Sequence, residues 1–223
     1  MKQGMLTSND VVYDPTLAIL ICSKHANPFL YKNIENLRDL YKNAKIGIID
    51  SDSVSFDTYT KIKESFPEVD IHFLKNKNYE YGAWKLGYAL YPDYDIYMCI
   101  QDSLFIQKSM DLTIINSNNV YTFFHCSGFL FDIPTIPIVE ELTQNTGLNY
   151  EKLIPTLFNI AAHSSFIVNN STLKRMYSIL VNPPTAKIGS RAYERIFGLY
   201  FILNSIKTHP MNEYFLKFEG GRI

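Results

Sequence analysis

Only three cysteines occur in 223 residues, Cys22, Cys99 and Cys126, and neither their odd number nor their wide spacing suits a disulfide framework or a zinc site. Set in apolar, strand-like runs, they read as buried thiols in a reducing compartment. An excess of one charge is missing too. With 21 Lys and Arg against 22 Asp and Glu, the net charge of -1 argues against a general polyanion-binding surface, and so against nucleic acid as a partner. No apolar run reaches the roughly 18 residues that span a bilayer. The stretch from Met1 to Asp10 holds no apolar run of signal length, so the expectation is a cytoplasmic protein without a transmembrane segment. Phosphate loops are also missing: the first apolar run is followed by Lys24-His25-Ala26-Asn27-Pro28-Phe29, which is neither a Gly-x-Gly-x-x-Gly turn nor a Walker loop. Internal repeats, heptads and low-complexity tracts do not occur.

What is present is enough apolar mass, 47% of residues, to bury a full core. A single domain over 1–223 is expected. The 16 Tyr and 15 Phe against one Trp fit an aromatic core, and also permit a cleft for sugars or bases. Leu17 to Cys22, Lys45 to Ile49, Val69 to Leu74 and Ile96 to Ile100 read as strands. Helical spacing joins them over Asn33 to Tyr41, Phe56 to Ser65 and a segment from Asn76 to Leu90 that Pro92 stops. Strand–helix alternation of this kind predicts an α/β fold with a mainly parallel sheet and helices on both faces. Val120 to Phe124, Gly128 to Phe131 and Ser164 to Val168 predict further strands, making the sheet mixed. Helical pieces are expected over Ile136 to Tyr150 and Glu151 to Phe158. Ser171 to Leu180, capped by Ser171 or Thr172, and Ala192 to Ser205 predict two more helices, with a loop over 182–190 and a break at Lys207 to Pro210.

The stretch from Asp95 to Ile106 carries the most information. It reads as a buried strand that stops at one carboxylate, Asp102, and restarts beyond it. Open α/β sheets bind ligands at the carboxyl ends of their strands, and here those ends carry Ser23 to His25, Asp50 to Ser53, and Gln101 to Ser103. Asp50 suits a base or ribose of a nucleotide. Asp102, flanked by apolar residues, needs a cation, a basic side chain or several donors, and a carboxylate is a ligand type that a divalent cation takes. Glu194, in the first turns of the last apolar helix, has the chemistry of a general base, or of an acid favourably placed near a helix amino terminus. His209 precedes Pro210 and is a candidate metal ligand or proton carrier. Lys217, Arg222, Gly220 and Gly221 read as a small basic tail that either closes over phosphate or frays.

The pattern Asn78-Tyr79-Glu80-Tyr81-Gly82-Ala83-Trp84-Lys85, followed by Asp95 through Gln101-Asp102-Ser103, resembles the nucleotide-sugar half of GT-A-fold glycosyltransferases. The resemblance covers about residues 16 to 106 and implies that 107–223 form the acceptor-side half. It implies a nucleoside-diphosphate sugar as donor and a glycan or glycosylated molecule as acceptor. Ser23, Asp50, Asn78, Tyr81, Gly82, Lys85, Gln101 and Ser103 become donor-side residues. Family members carry an Asp-x-Asp or related motif binding Mn2+ or Mg2+ at this strand end, whereas Gln101-Asp102-Ser103 keeps one carboxylate. Asp102 and His209 are then the expected ligands. Inverting members use an acceptor-side acid as base, a role matched by Glu194. The similarity extends to compact transferases of bacteria and large viruses that build surface glycans from the cytoplasmic side, which for a viral chain is the host cytoplasm. Two rivals stand beside this reading: a sugar nucleotidyltransferase, and a glycan-binding or assembly protein of the same fold without turnover.

Overall fold

The computed structural model describes residues 15–24, 26, 29–75 and 77–218; His25, Asn76, Gly220, Gly221 and Arg222 lie outside the described residues. The first strand, β1 (Leu17–Ser23), is buried along its whole length, and its side chains divide between two cores. Ala18, Leu20 and Cys22 enter one, Leu17, Ile19 and Ile21 the other. Covering both faces is why the segment reads as an unbroken apolar run rather than an alternating one.

Helix α1 (Leu30–Leu40) leads to β2 (Lys45–Asp50), α2 (Asp57–Ser65) to β3 (Asp70–Phe73), and α3 (Tyr79–Leu90) to β4 (Ile96–Gln101). The pairs β1–β2, β1–β4 and β2–β3 are all parallel. A short strand, β5 (Leu104–Ile106), follows Asp102 and Ser103. Beyond it come β6 (Asn119–Cys126), α4 (Ile136–Leu142), β7 (Asn159–Asn169), α5 (Asn170–Ile179), α6 (Lys187–Leu203), β8 (Lys207–Pro210) and β9 (Phe215–Lys217). The main sheet has the order β3-β2-β1-β4-β7-β6-β8, with β7 antiparallel to both β4 and β6. One core lies under α3, α5 and α6, and the other under α1 and α2. The expected α/β mixed sheet with helices on both faces is therefore present.

Several local expectations are corrected. Gly128 to Phe131 is a turn, because Gly128 adopts φ +52 and both Ser127 N and Gly128 N donate to Phe158 O. The helix expected at Ile136 stops at Leu142, and Glu151–Leu153 is a single 3-10 turn before β7 begins. The cap of α5 is Asn169, whose side chain accepts from Thr172 N at 3.0 Å. Helix α6 starts at Lys187, inside the expected loop. The break at Lys207 to Pro210 is β8, a four-residue edge strand paired parallel with β6. An edge strand this short, ending in proline, carries little patterning for a sequence to display. Cys22 and Cys99 are buried as expected, but Cys126 is exposed at the end of β6.

Candidate functional site

Strand β1 pairs with β2 on one side and β4 on the other, so the chain reverses its direction of growth between β1 and β4. That is the switch point where an open parallel sheet leaves a crevice. Across it, Ser23 Oγ donates to Asp102 Oδ2 at 2.8 Å, and Asp102 N donates to Cys22 O at 3.0 Å. The chain of contacts continues under the crevice. Tyr59 OH from α2 stands 2.9 Å from Ser23 Oγ and 2.8 Å from Asp50 Oδ1, its single proton facing both acceptors. Asp50 is 2% exposed, and its carboxylate also accepts from Ser53 N at 2.9 Å and from Ser53 Oγ. Buried carboxylates persist when donors meet them in this way. Asp50 thus lies in the floor of the crevice and, through Tyr59, holds Ser23 against Asp102.

A second polar group gathers beside the end of β4. Gln101 Nε2 donates to Glu80 Oε1 at 2.6 Å, and Ser190 Oγ donates to Glu80 Oε2 at 2.8 Å. Glu80 sits in the first turn of α3, where a carboxylate is favoured by the helix dipole. On the other side of Gln101, Lys217 Nζ donates to Gln101 Oε1 at 3.0 Å and to Ser103 Oγ at 2.5 Å. Lys217 arrives on β9, which pairs antiparallel with β5 and sets Lys217 opposite Leu104. Sequence reasoning missed Glu80, Ser190 and Tyr59 as site residues and placed Lys217 in a basic tail that either closes over phosphate or frays. Glu80 carried a usable signal, as an acid in the first turn of a helix that follows a strand.

The acceptor-side wall is built by an irregularity in β7. Pairing with β6 runs through Thr122↔Phe166 and resumes at Phe124↔Ala161, so residues 162–165 stand opposite Phe123 alone. His163 and Ser164 adopt φ +56 and +50, a region costly for residues with a Cβ. Two side chains stabilise this bulge. Trp84 Nε1 from α3 donates to Ser164 O at 3.0 Å, and Glu194 Oε1 from α6 accepts from His163 N at 3.1 Å. Helix α6 comes this close because Gly198 carries no side chain: a Cβ there would lie 2.6 Å from Asn159 O. Glu194 and Gly198, four apart, share that helix face. Burial pushes the Glu194 carboxyl up to about 7, with the Arg195 charge opposing and Glu80 reinforcing. His163 is pushed down to about 4 by burial, then by the charges of Lys217 and His125, so its ring is neutral at pH 7.

Ser23, Asp50, Gln101, Asp102 and Ser103 are thus brought together at the strand ends. Asn78 stands just before α3, with Nδ2 donating to Pro184 O at 3.0 Å. Tyr81 and Gly82 are buried in α3, and Tyr81 OH donates to Leu180 O at 2.7 Å. Lys85 is exposed, its Nζ 5.7 Å from the Tyr81 ring centre. His209 lies on β8 at the sheet edge, with Nε2 3.1 Å from Asn119 Oδ1, and is not brought to Asp102. Among the described residues no group of three His, Cys, Asp or Glu side chains is placed to hold a metal. A hard cation needs several oxygen ligands, and the two oxygens flanking Asp102, those of Gln101 and Ser103, are bonded by the Lys217 ammonium. The described residues around Asp102 do not fit a divalent cation.

No protein-family model matches the chain, and no curated protein matches it in sequence. Solved structures do match. S. aureus TarS superposes with a TM-score of 0.55 at 11% identity, over 90% of this chain and 36% of TarS. This chain has the GT-A fold. It spans about a third of TarS's length. Glucosyl-3-phosphoglycerate synthase from Mycobacterium tuberculosis, solved with Mn2+, UDP and glucosyl-3-phosphoglycerate, gives a TM-score of 0.49 at 12% identity, over 94% of this chain and 89% of that one. The mannosyltransferase PcManGT from Pyrobaculum calidifontis, solved with GDP-Man and Mn2+, gives 0.47 at 9% identity, over 89% and 55%. Among the described residues no helix is long and apolar enough to cross a membrane.

Proposed function

We propose that this chain transfers a sugar from a nucleoside-diphosphate sugar to a hydroxyl of a glycan or glycosylated acceptor, with inversion at the anomeric carbon. Residues 16–106 bind the donor, and 107–223 present the acceptor side. The observation that carries this reading is Glu194. It is a carboxylate with its pKa raised by burial to about 7, held on the β7 bulge and within electrostatic reach of the strand-end cluster through Glu80. General bases work best with a pKa near the operating pH.

In the proposed step, Glu194 removes the proton of the acceptor hydroxyl as that oxygen bonds to the anomeric carbon on the face opposite the leaving group. The bond from that carbon to the β-phosphate oxygen breaks, and its electron pair leaves with the nucleoside diphosphate. Asp102 supplies an acceptor at the switch point that orients the donor, while Ser23, and Asp50 through Tyr59, act as positioning residues that hold it.

The test is release of nucleoside diphosphate from a panel of UDP-, GDP-, CDP- and ADP-sugars, with glycan acceptors, by wild type and Asp102→Ala. One donor class is consumed by wild type, and Asp102→Ala loses most of that activity. Donor binding without turnover in wild type would favour an assembly protein. Pyrophosphate release from a nucleoside triphosphate and a sugar phosphate would favour the nucleotidyltransferase.

A further inference from the structure

Any protein that binds a nucleoside diphosphate must meet two or three negative charges, and among the described residues this crevice carries a lysine next to its central acid. Lys217 is half-buried, and its Nζ donates to the side chains on both sides of Asp102, Gln101 at 3.0 Å and Ser103 at 2.5 Å. The backbone secures it there. Lys217 pairs with Leu104, Phe218 N donates to Ser103 O at 3.0 Å, and the Phe218 ring stacks on Phe29 at 4.1 Å between centres. The ammonium therefore stands at the end of β4, bridging the two side chains that flank Asp102. Its charge is felt at His163, where it helps keep the ring neutral.

A divalent cation in this place would need the oxygens of Gln101 and Ser103, which the ammonium already binds, and would have one carboxylate, Asp102, to offset its charge. The ammonium, already held by those oxygens, needs no further ligand there. It is a compact point charge with donors suited to phosphate oxygens, and its attraction strengthens in a partly water-excluded cleft. We propose that Lys217 holds the diphosphate of the donor and stabilises the charge that develops as it leaves, so that donor binding by this chain does not depend on a divalent cation. This rests on the nucleotide-sugar reading above. The lysine keeps its proton throughout, so the transfer step balances as written for Glu194.

Calorimetric titration of the full chain with UDP, GDP, CDP and ADP, each in excess EDTA and again in MnCl2, separates the two ideas. Expected is binding of one nucleoside diphosphate with about equal affinity in both buffers. Lys217→Met weakens it about 10- to 100-fold, the range of one charge-assisted hydrogen bond, while Lys217→Arg restores part of the loss. Thermal melting of both variants checks that β9 stays paired; a Lys217→Met loss that Lys217→Arg does not rescue would point to a packing role and overturn the inference. Binding seen only with Mn2+ and unchanged in Lys217→Met would overturn it too, leaving the glycosyltransferase reading intact. No binding of any nucleoside diphosphate in either buffer would overturn both.

Discussion

The backbone amide of His163 donates to Glu194 Oε1 at 3.1 Å, and this contact joins the strained bulge of β7 to helix α6. The bulge needs an acceptor for an amide that pairing with β6 no longer uses. Glu194 provides it with one oxygen, which leaves the other for chemistry.

Replacing Glu194 by Gln keeps an acceptor for His163 N and removes the base. Turnover is expected to fall about 10²- to 10⁴-fold, the usual contribution of a general base, with donor affinity unchanged. Stability moves the other way. The folded pKa of Glu194 is raised from 4.5 to about 7, so its contribution to stability is full below pH 4.5 and is lost as pH rises through 7. Relative to wild type, Glu194→Gln gains about 2–3 kcal/mol between pH 5 and pH 8. Urea unfolding at the two pH values measures this, and His163, which titrates in both proteins, cancels in the comparison.

The same shift sets the acid limb of the reaction. Glu194 must be ionised to accept a proton, so kcat/KM for transfer rises with pH and levels off above about 7. A pH profile of wild type shows that limb, and the residual activity of Glu194→Gln lacks it.

Gly198→Ala pushes a methyl group to 2.6 Å from Asn159 O, a backbone atom that cannot yield without moving β7. Loss of about 1–3 kcal/mol is expected, as for other overpacked sites. Because Glu194 lies on the same face of α6, kcat falls as well while donor affinity changes little. Thermal melting and steady-state kinetics check both.

Trp84→Phe removes the indole donor from Ser164 O inside the bulge. An orphaned buried carbonyl costs about 1–3 kcal/mol. Amide exchange should speed up at residues 162–165 and stay unchanged in β1, a pattern that separates local opening from global unfolding. Trp84 is the single tryptophan of the chain, so wild-type emission at 295 nm excitation reports on the same place.

Strands β1, β2 and β4 were legible because they are buried on both faces. Leu17 to Cys22, Lys45 to Ile49 and Ile96 to Ile100 are continuous apolar runs, and each ends in the polar residue that reaches the crevice. Asp102 was found for that reason, as a charge that interrupts such a run. What stayed hidden depends on distance in sequence. Lys217 meets Gln101 across 116 positions and Ser190 meets Glu80 across 110, and three-residue β9 carries no periodicity to announce the pairing. The β7 bulge was hidden as well, since neither glycine nor proline marks the break at His163 and Ser164 within the strand. Tyr81 shows the opposite failure. It lies in the segment that carries the family resemblance, yet it packs against Tyr193 at 4.6 Å between ring centres and serves the core.

The most direct test of the account is a crystal structure of the protein with its bound nucleotide sugar. The account predicts the diphosphate against Lys217, a donor hydroxyl donating to the Asp102 carboxylate that Ser23 holds, and the anomeric carbon on the side of Glu194 with room for an acceptor hydroxyl between them. A nucleotide bound away from the β1–β4 switch point, or a Glu194 side chain with no path to the anomeric carbon, would contradict it.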